Sequence, residues 1–226
     1  MKKMKIATLA LAASLVLTNL SCSNTAKGAG IGAGAGALVG AVIGKMAGNT
    51  AVGAAVGATV GTGAGALIGK HMDNVKKKAQ AVENAQVEGV KDANGLDAVK
   101  VTFDSGILFA TNKSDLNASA KTSLTNFAGV LKSNTDCDVA IFGHTDSTGS
   151  DAINNPLSLK RAQSVQNFLA SQGVSSSQIK TVEGKGSTEP VADNSTKAGQ
   201  AQNRRVEVYL YASEKMIQQA KQQAGE

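Results

Sequence analysis

Glycine occupies every fourth position from residue 28 to 48 (28, 32, 36, 40, 44, 48) and, after a break at Asn49-Thr50, again from 53 to 69 (53, 57, 61, 65, 69). Residues four apart share one face of a helix. A face made of glycine lets a second helix approach to backbone contact, as small residues do between membrane helices. Ile31, Leu38, Val39, Val42, Ile43, Val52, Val56, Val60, Leu67 and Ile68 fall off that face and are placed to meet lipid. No Asp or Glu interrupts 29–69. Each run is near the roughly 20 residues that a helix needs to cross a hydrocarbon core. The register therefore predicts a helical hairpin over 28–70 that turns near Lys45–Thr50, with Lys45 and Lys70 able to snorkel to the interface.

Glycine opposes this, since each one costs a helix about 1 kcal/mol relative to alanine. Packing the two glycine faces together mitigates that cost. The alternative is a flexible Gly/Ala linker, but a linker has no reason to hold a period of four through eleven glycines. The pattern resembles the glycine-zipper segments of envelope lipoproteins. The glycine face is also a candidate contact for a second copy of the chain.

Ahead of the ladder, Lys2, Lys3 and Lys5 precede an apolar stretch, Ile6–Leu17, too short to span a bilayer. Leu20-Ser21-Cys22 follows at once, although Asn19 stands where such signals usually carry an apolar residue. The layout resembles a bacterial lipoprotein signal. It implies a signal peptide at 1–21, palmitate-class acylation of Cys22 and a lipidated N-terminus at 22–27. Ser23 is compatible with outer-membrane sorting. Lipid and hairpin together are enough for stable anchoring. With Cys22 acylated, Cys137 has no disulfide partner and reads as a small, partly buried hydrophobe. Residues 71–98 read as a linker that leaves the membrane as a polar helix, with Lys76–Lys78 near head groups. His71 is read as an interfacial histidine, because no second ligand adjoins it in sequence, and no metal or cofactor is expected.

Residues 99–212 have an ordinary globular composition, enough for one core. Tryptophan is absent and phenylalanine numbers five, so that core rests on Val, Leu and Ile. Val99–Phe103 alternates as a strand, and Ile107–Phe109 is a short apolar run. Asn117 or Ser119 can cap a helix through Lys132. Val139–Phe142 is a buried strand, Pro156 opens a helix to Ser171, and Ile179–Glu183 and Arg205–Tyr211 are further strands. Val87, Val90 and Asn94-Gly95 admit an extra strand and turn. The tail 213–226 reads as a solvated helix or disorder.

Gly143-His144-Thr145-Asp146, Gly149, Asn154, Leu157-Ser158, Arg161-Ala162, Gly184, Gly186, Pro190 and Asn203-Arg204-Arg205-Val206-Glu207 occur in the order seen in the OmpA-like C-terminal domain, which they resemble over 99–212. The resemblance implies an α+β fold, βαβαββ, with two helices packed on one sheet. It also implies a non-covalent ligand, the diaminopimelate residue of peptidoglycan. Asp146 would accept from its side-chain ammonium, and Arg161, fifteen residues on, would fork onto its carboxylate. Asn154 and Leu157 would line the pocket, Thr145 would support its floor, and Phe103 and Asp104 would close another wall.

Read from the residues alone, Asp146 could equally cap a turn while Arg161 pairs with Asp138 or Asp151. One of Arg204 and Arg205 could approach the glycan, or either could bridge to Glu183 or Glu207. His144 sits near Asp146 and Ser147, but neighbours on a strand diverge, and nothing marks a nucleophile elbow or phosphate loop. No enzyme activity is expected. The net charge of +6 is not arranged as a basic, aromatic-interleaved patch, so nucleic acid is not an expected partner. The chain thus reads as an outer-membrane lipoprotein that tethers that membrane to the wall, with its globular domain in the periplasm. The alternative is a zipper-driven oligomeric pore or envelope assembly factor that the wall-binding domain merely positions.

Overall fold

A computed structural model describes residues 60–226 apart from Ala93 and Thr111. The elements are α1 (Thr62–Gln80), β1 (Gln86–Lys91), β2 (Asp97–Asp104), α2 (Ser105–Leu108), α3 (Ala118–Lys132), β3 (Cys137–Gly143), α4 (Asp151–Ser171), β4 (Ile179–Gly184), α5 (Lys197–Asn203), β5 (Arg205–Ala212) and α6 (Glu214–Ala224). The signal segment, Cys22 and the ladder up to residue 59 lie outside the described residues. No helix among those described is long and apolar enough to cross a membrane.

The five strands form one sheet in the order β1-β2-β5-β3-β4. All neighbours are antiparallel except β3 and β4, which run parallel across the α4 crossover. Alternation decides the two faces. Val99, Val101 and Phe103 of β2, Val139 and Ile141 of β3, and Val206, Val208 and Leu210 of β5 join one core with Leu124, Phe127 and Leu131 of α3 and with Ala162, Val165 and Leu169 of α4. The opposite face carries a smaller cluster, Ala98, Ala140, Phe142, Tyr209 and Tyr211. There Phe142 and Tyr209 meet edge-on at 5.7 Å. Asn117 is the N-cap of α3, accepting from the Ala120 N–H at 2.8 Å, which supplies a partner for one of the orphan donors of that helix end.

Four sequence expectations change. First, α1 runs unbroken through residue 70, where the hairpin and linker were expected to meet. Its face Ala64, Ile68, Met72, Val75 and Ala79 is buried in the main core. Ile68, expected against lipid, is 1 % exposed. The last ladder glycines meet parts of this same domain: a Cβ on Gly61 would strike the Glu226 carboxylate, and one on Gly69 the Asp97 carboxylate. Second, the tail is the ordered helix α6, whose Met216, Ile217 and Ala220 are buried against α1. The Glu226 side chain then accepts from the Gly61 and Gly63 N–H groups at 2.8 and 3.1 Å and so caps α1. Third, α4 begins at Asp151, five residues before Pro156. Fourth, Ile107-Leu108 lies in the one-turn helix α2, and Phe109 forms an isolated bridge with Leu116.

Candidate ligand-binding site

The site lies where β3 ends. Gly143 and Gly184, the last residues of β3 and β4, pack directly under α4. A methyl on the first would overlap the Ser158 carbonyl, and one on the second would overlap the Leu159 backbone. Only glycine lets the helix sit this close, and that closeness sets where Arg161, one turn further on, projects. Ser158 Oγ also accepts from the Gly186 N–H at 3.0 Å, and the Thr145 N–H donates to the Gly186 carbonyl at 2.8 Å. The loop after β3 is thereby tied to the loop after β4.

Asp146 is 4 % exposed. Its Oδ1 accepts from the Thr148 N–H at 2.9 Å and from the Thr148 hydroxyl, and its Oδ2 accepts from Arg204 Nη1. Burial alone would push this carboxyl up, but the Thr148 and Arg204 bonds outweigh it and leave the group below the ordinary aspartate range. Asn154 supports the same loop from α4: its side-chain amide donates to the carbonyl of Thr148 at 3.1 Å and to that of Asp146 at 3.4 Å. Pro156, lacking an N–H, cannot bond back to the first turn. That turn nonetheless forms and presents Asn154.

Arg161 is equally buried. Its Nε donates to the Lys113 carbonyl at 3.1 Å, and its guanidinium lies 5.3 Å above the Phe109 ring. Among the described residues no carboxylate forms a salt bridge with it: Asp138 pairs with Lys180, and Asp151 is exposed. Burial first, and the neighbouring Arg204 charge second, lower its hold on its proton, while Asp146 opposes both. One anion and two cations therefore share the site, with a net charge of +1. That net charge favours an anionic group beside Arg161, while Asp146 is already paired with Arg204.

Of the other expected residues, Leu157 is half-buried in the second turn of α4. The Thr145 hydroxyl is buried without a hydrogen-bond partner, an orphan of a kind native interiors usually satisfy. Asp104 ends β2 opposite Arg205, half-exposed. Phe103 is a correction. It faces the core, fully buried and edge-on to Phe127 at 5.5 Å, so it forms no pocket wall. Arg204, ambiguous from sequence, joins the site. Arg205 instead bridges to Glu207 at 2.6 Å on the open face, beside His144, whose Nε2 is 3.6 Å from Glu207. Phe109 and Lys113 went unassigned. The apolar run ending at Phe109 was visible, but its contact with Arg161 is made only by the fold.

This α+β sheet with helices packed on it agrees with the OmpA-like fold that the sequence motifs imply. Residues 108–204 match the OmpA family model and residues 1–73 the YMGG-like Gly-zipper model, so the chain carries an OmpA-family domain behind a glycine-zipper region. It is 37 % identical over 146 residues to the probable lipoprotein YiaD of Escherichia coli (strain K12), covering 65 % of each chain. It is 36 % identical over 141 residues to the peptidoglycan-binding protein ArfA of Mycobacterium tuberculosis (strain H37Rv), covering 62 % of this chain and 43 % of that one. The matches thus span less than two-thirds of either relative. Among solved structures, the cell wall anchor of the T6SS from Pseudomonas aeruginosa aligns with a TM-score of 0.52 at 27 % identity, over 63 % of this chain and 97 % of that one.

Proposed function

We propose that this chain is an outer-membrane lipoprotein, acylated at Cys22, that holds peptidoglycan through its diaminopimelate residue and so tethers the membrane to the wall. Arg161 takes the ligand carboxylate and Asp146 its ammonium, the two ends of one zwitterion. Arg204 occupies one oxygen of Asp146 and is half-exposed, so it can share the carboxylate or swing toward the glycan when the ammonium arrives. Asn154 and Thr148 hold the loop that carries Asp146, Leu157 lines the site from the second turn of α4 and Asp104 borders it. The observation that carries this reading is a buried Arg161, with which no carboxylate among the described residues forms a salt bridge, near a buried Asp146 that Arg204 holds. Relatives named for peptidoglycan binding and lipoprotein character support it. The zipper-driven pore or assembly factor rests on residues 28–59, outside the described ones, and no feature of the sheet domain favours it.

The test is co-sedimentation of the full chain, in detergent, with purified peptidoglycan. Walls built on diaminopimelate are compared with walls carrying lysine at that position, which lacks the second carboxylate. Wild type should pellet with the first and not the second, and Asp146→Ala and Arg161→Ala should pellet with neither. Equal capture by both walls would remove diaminopimelate from the reading. No capture by either would remove the wall.

A further inference from the structure

The fold assembles a second polar cluster, far from the loop after β3. His71 lies in the middle of α1, Asp136 in the turn before β3, and Cys137 at the first position of β3. Nothing adjoins His71 in sequence that could share a ligand with it, yet its Nε2 stands 3.5 Å from Asp136 Oδ1 and 3.9 Å from Cys137 Sγ. The three donor atoms all lie within 4.8 Å of one another. We infer that His71, Asp136 and Cys137 form a binding site for a borderline transition cation of the zinc class, which staples α1 to the sheet.

Zinc bonds at about 2.0–2.1 Å to histidine nitrogen, 2.0–2.2 Å to carboxylate oxygen and 2.3 Å to thiolate. At tetrahedral angles those lengths place nitrogen about 3.4 Å from oxygen and about 3.6 Å from sulfur. The two separations from His71 need to close by only tenths of an ångström, and the carboxylate and sulfur stand within 4.8 Å of each other. The donor set of imidazole, carboxylate and thiolate suits Zn²⁺ or its neighbours and excludes Mg²⁺ and Ca²⁺, which take oxygen. Each ligand is held by packing: Ile68 and Met72 flank His71 in the core, the Cys137 N–H donates to the Asn134 carbonyl at 3.1 Å, and the Asp136 carbonyl accepts from the Ser213 N–H at 3.2 Å. The sulfur is fully buried, while the His71 and Asp136 side chains are 34 % and 37 % exposed, so water can reach a fourth position. On binding, the metal–sulfur bond forms as the thiol proton leaves to solvent. The nearby Lys78 is engaged with Asn134 Oδ1 at 3.3 Å and does not occupy the cluster.

The test uses the full chain in detergent, without a polyhistidine tag and with Cys22→Ser, so that Cys137 is the sole thiol. Titration with Co²⁺ should produce a thiolate-to-cobalt charge-transfer band that saturates at one ion per chain and is bleached by Zn²⁺. His71→Ala should weaken binding by at least about tenfold, since even loss of a supporting group costs 10–100-fold. Its half-exposed position makes unfolding no explanation. Cys137→Ser, close in volume, should abolish the band with circular dichroism unchanged. No band in the parent chain, a band that survives Cys137→Ser, or an unchanged Co²⁺ affinity in His71→Ala overturns the site.

Discussion

Arg161→Ala should separate wall binding from folding. In the folded chain the Arg161 guanidinium donates to the Lys113 carbonyl and stacks on Phe109. A hydrogen bond from a charged donor is worth about 1.5–3 kcal/mol net, and the cation–π contact about 0.5–2 kcal/mol. Against this, the group has given up most of its hydration, an effective penalty of several kcal/mol for a buried charge, and it faces Arg204 with no carboxylate of its own. The two sides are of similar size. Removing the side chain should therefore move stability by no more than about 1 kcal/mol, or about 2–4 °C in Tm for a domain of this size.

Binding is different, because the ligand carboxylate loses the buried guanidinium that would receive it, while the neighbouring Arg204 is held by Asp146. Losing even one charge-assisted bond of about 1.5–3 kcal/mol weakens capture roughly 10- to 150-fold at 1.4 kcal/mol per decade. The assay is a thermal melt of the full chain in detergent beside a peptidoglycan co-sedimentation isotherm. Undiminished binding would take Arg161 out of the site. A Tm loss beyond about 8 °C would make it a structural residue, and the balance above would be wrong.

Three more outcomes follow from the packing. Burial lowers the folded pKa of His144, even though Glu207 opposes the shift, and Arg205 adds to it while Glu189 counters; the protonated ring is thus disfavoured in the fold, and the stability this holds at pH 7.5 should decline as pH falls below the unfolded value of about 6.5. A melt at pH 7.5 and 5.5 should show that decline in wild type, and His144→Gln should reduce it. Met72→Ala should cost about 2–5 kcal/mol by chemical denaturation, because Met72 is 2 % exposed in the core; an unchanged midpoint would show that α1 does not pack on the sheet. Gly143→Ala should cost about 1–3 kcal/mol by overpacking and weaken wall capture as well, since the methyl displaces the backbone that sets the position of Arg161.

Much of this fold was legible from the sequence. The alternation of Val99, Val101 and Phe103 marks β2, and the acid after a strand and the arginine on the next helix mark the site. The same alternation puts Phe103 on the core face with Val99 and Val101, against the pocket wall that the resemblance implies. At Arg204-Arg205 the sequence could not choose, because adjacent residues diverge and the partners, Asp146 and Glu207, are fixed by strand register. The spacing of Ala64, Ile68, Met72, Val75 and Ala79 is a helix face that crosses residue 70. It was hidden because the glycine register ends inside it. The His71 cluster was illegible for a plainer reason: its sulfur ligand is 66 residues away.

The continuity of α1 has a mechanical consequence for the proposed tether. His71 of α1 meets β3 at its first residue, Cys137, while the ligand site opens just beyond its last, Gly143. At about 3.3 Å per residue the two ends are about 20 Å apart along one strand. A pull between the zipper end of the chain and a bound wall peptide enters through α1, which packs chiefly on α6, β2 and β1, and leaves at the end of β3, which is hydrogen-bonded to β5 on one side and β4 on the other. Force along a strand strains all of those bonds together, whereas force across it would open them one at a time. The place of β3 between β5 and β4 also keeps it off the sheet edge, and α1 and α6 pack together where load enters. A compliant linker over 71–98 would have let the domain swing freely. The packed helix instead passes load from the anchor through β1 and β2 into the sheet that carries the site.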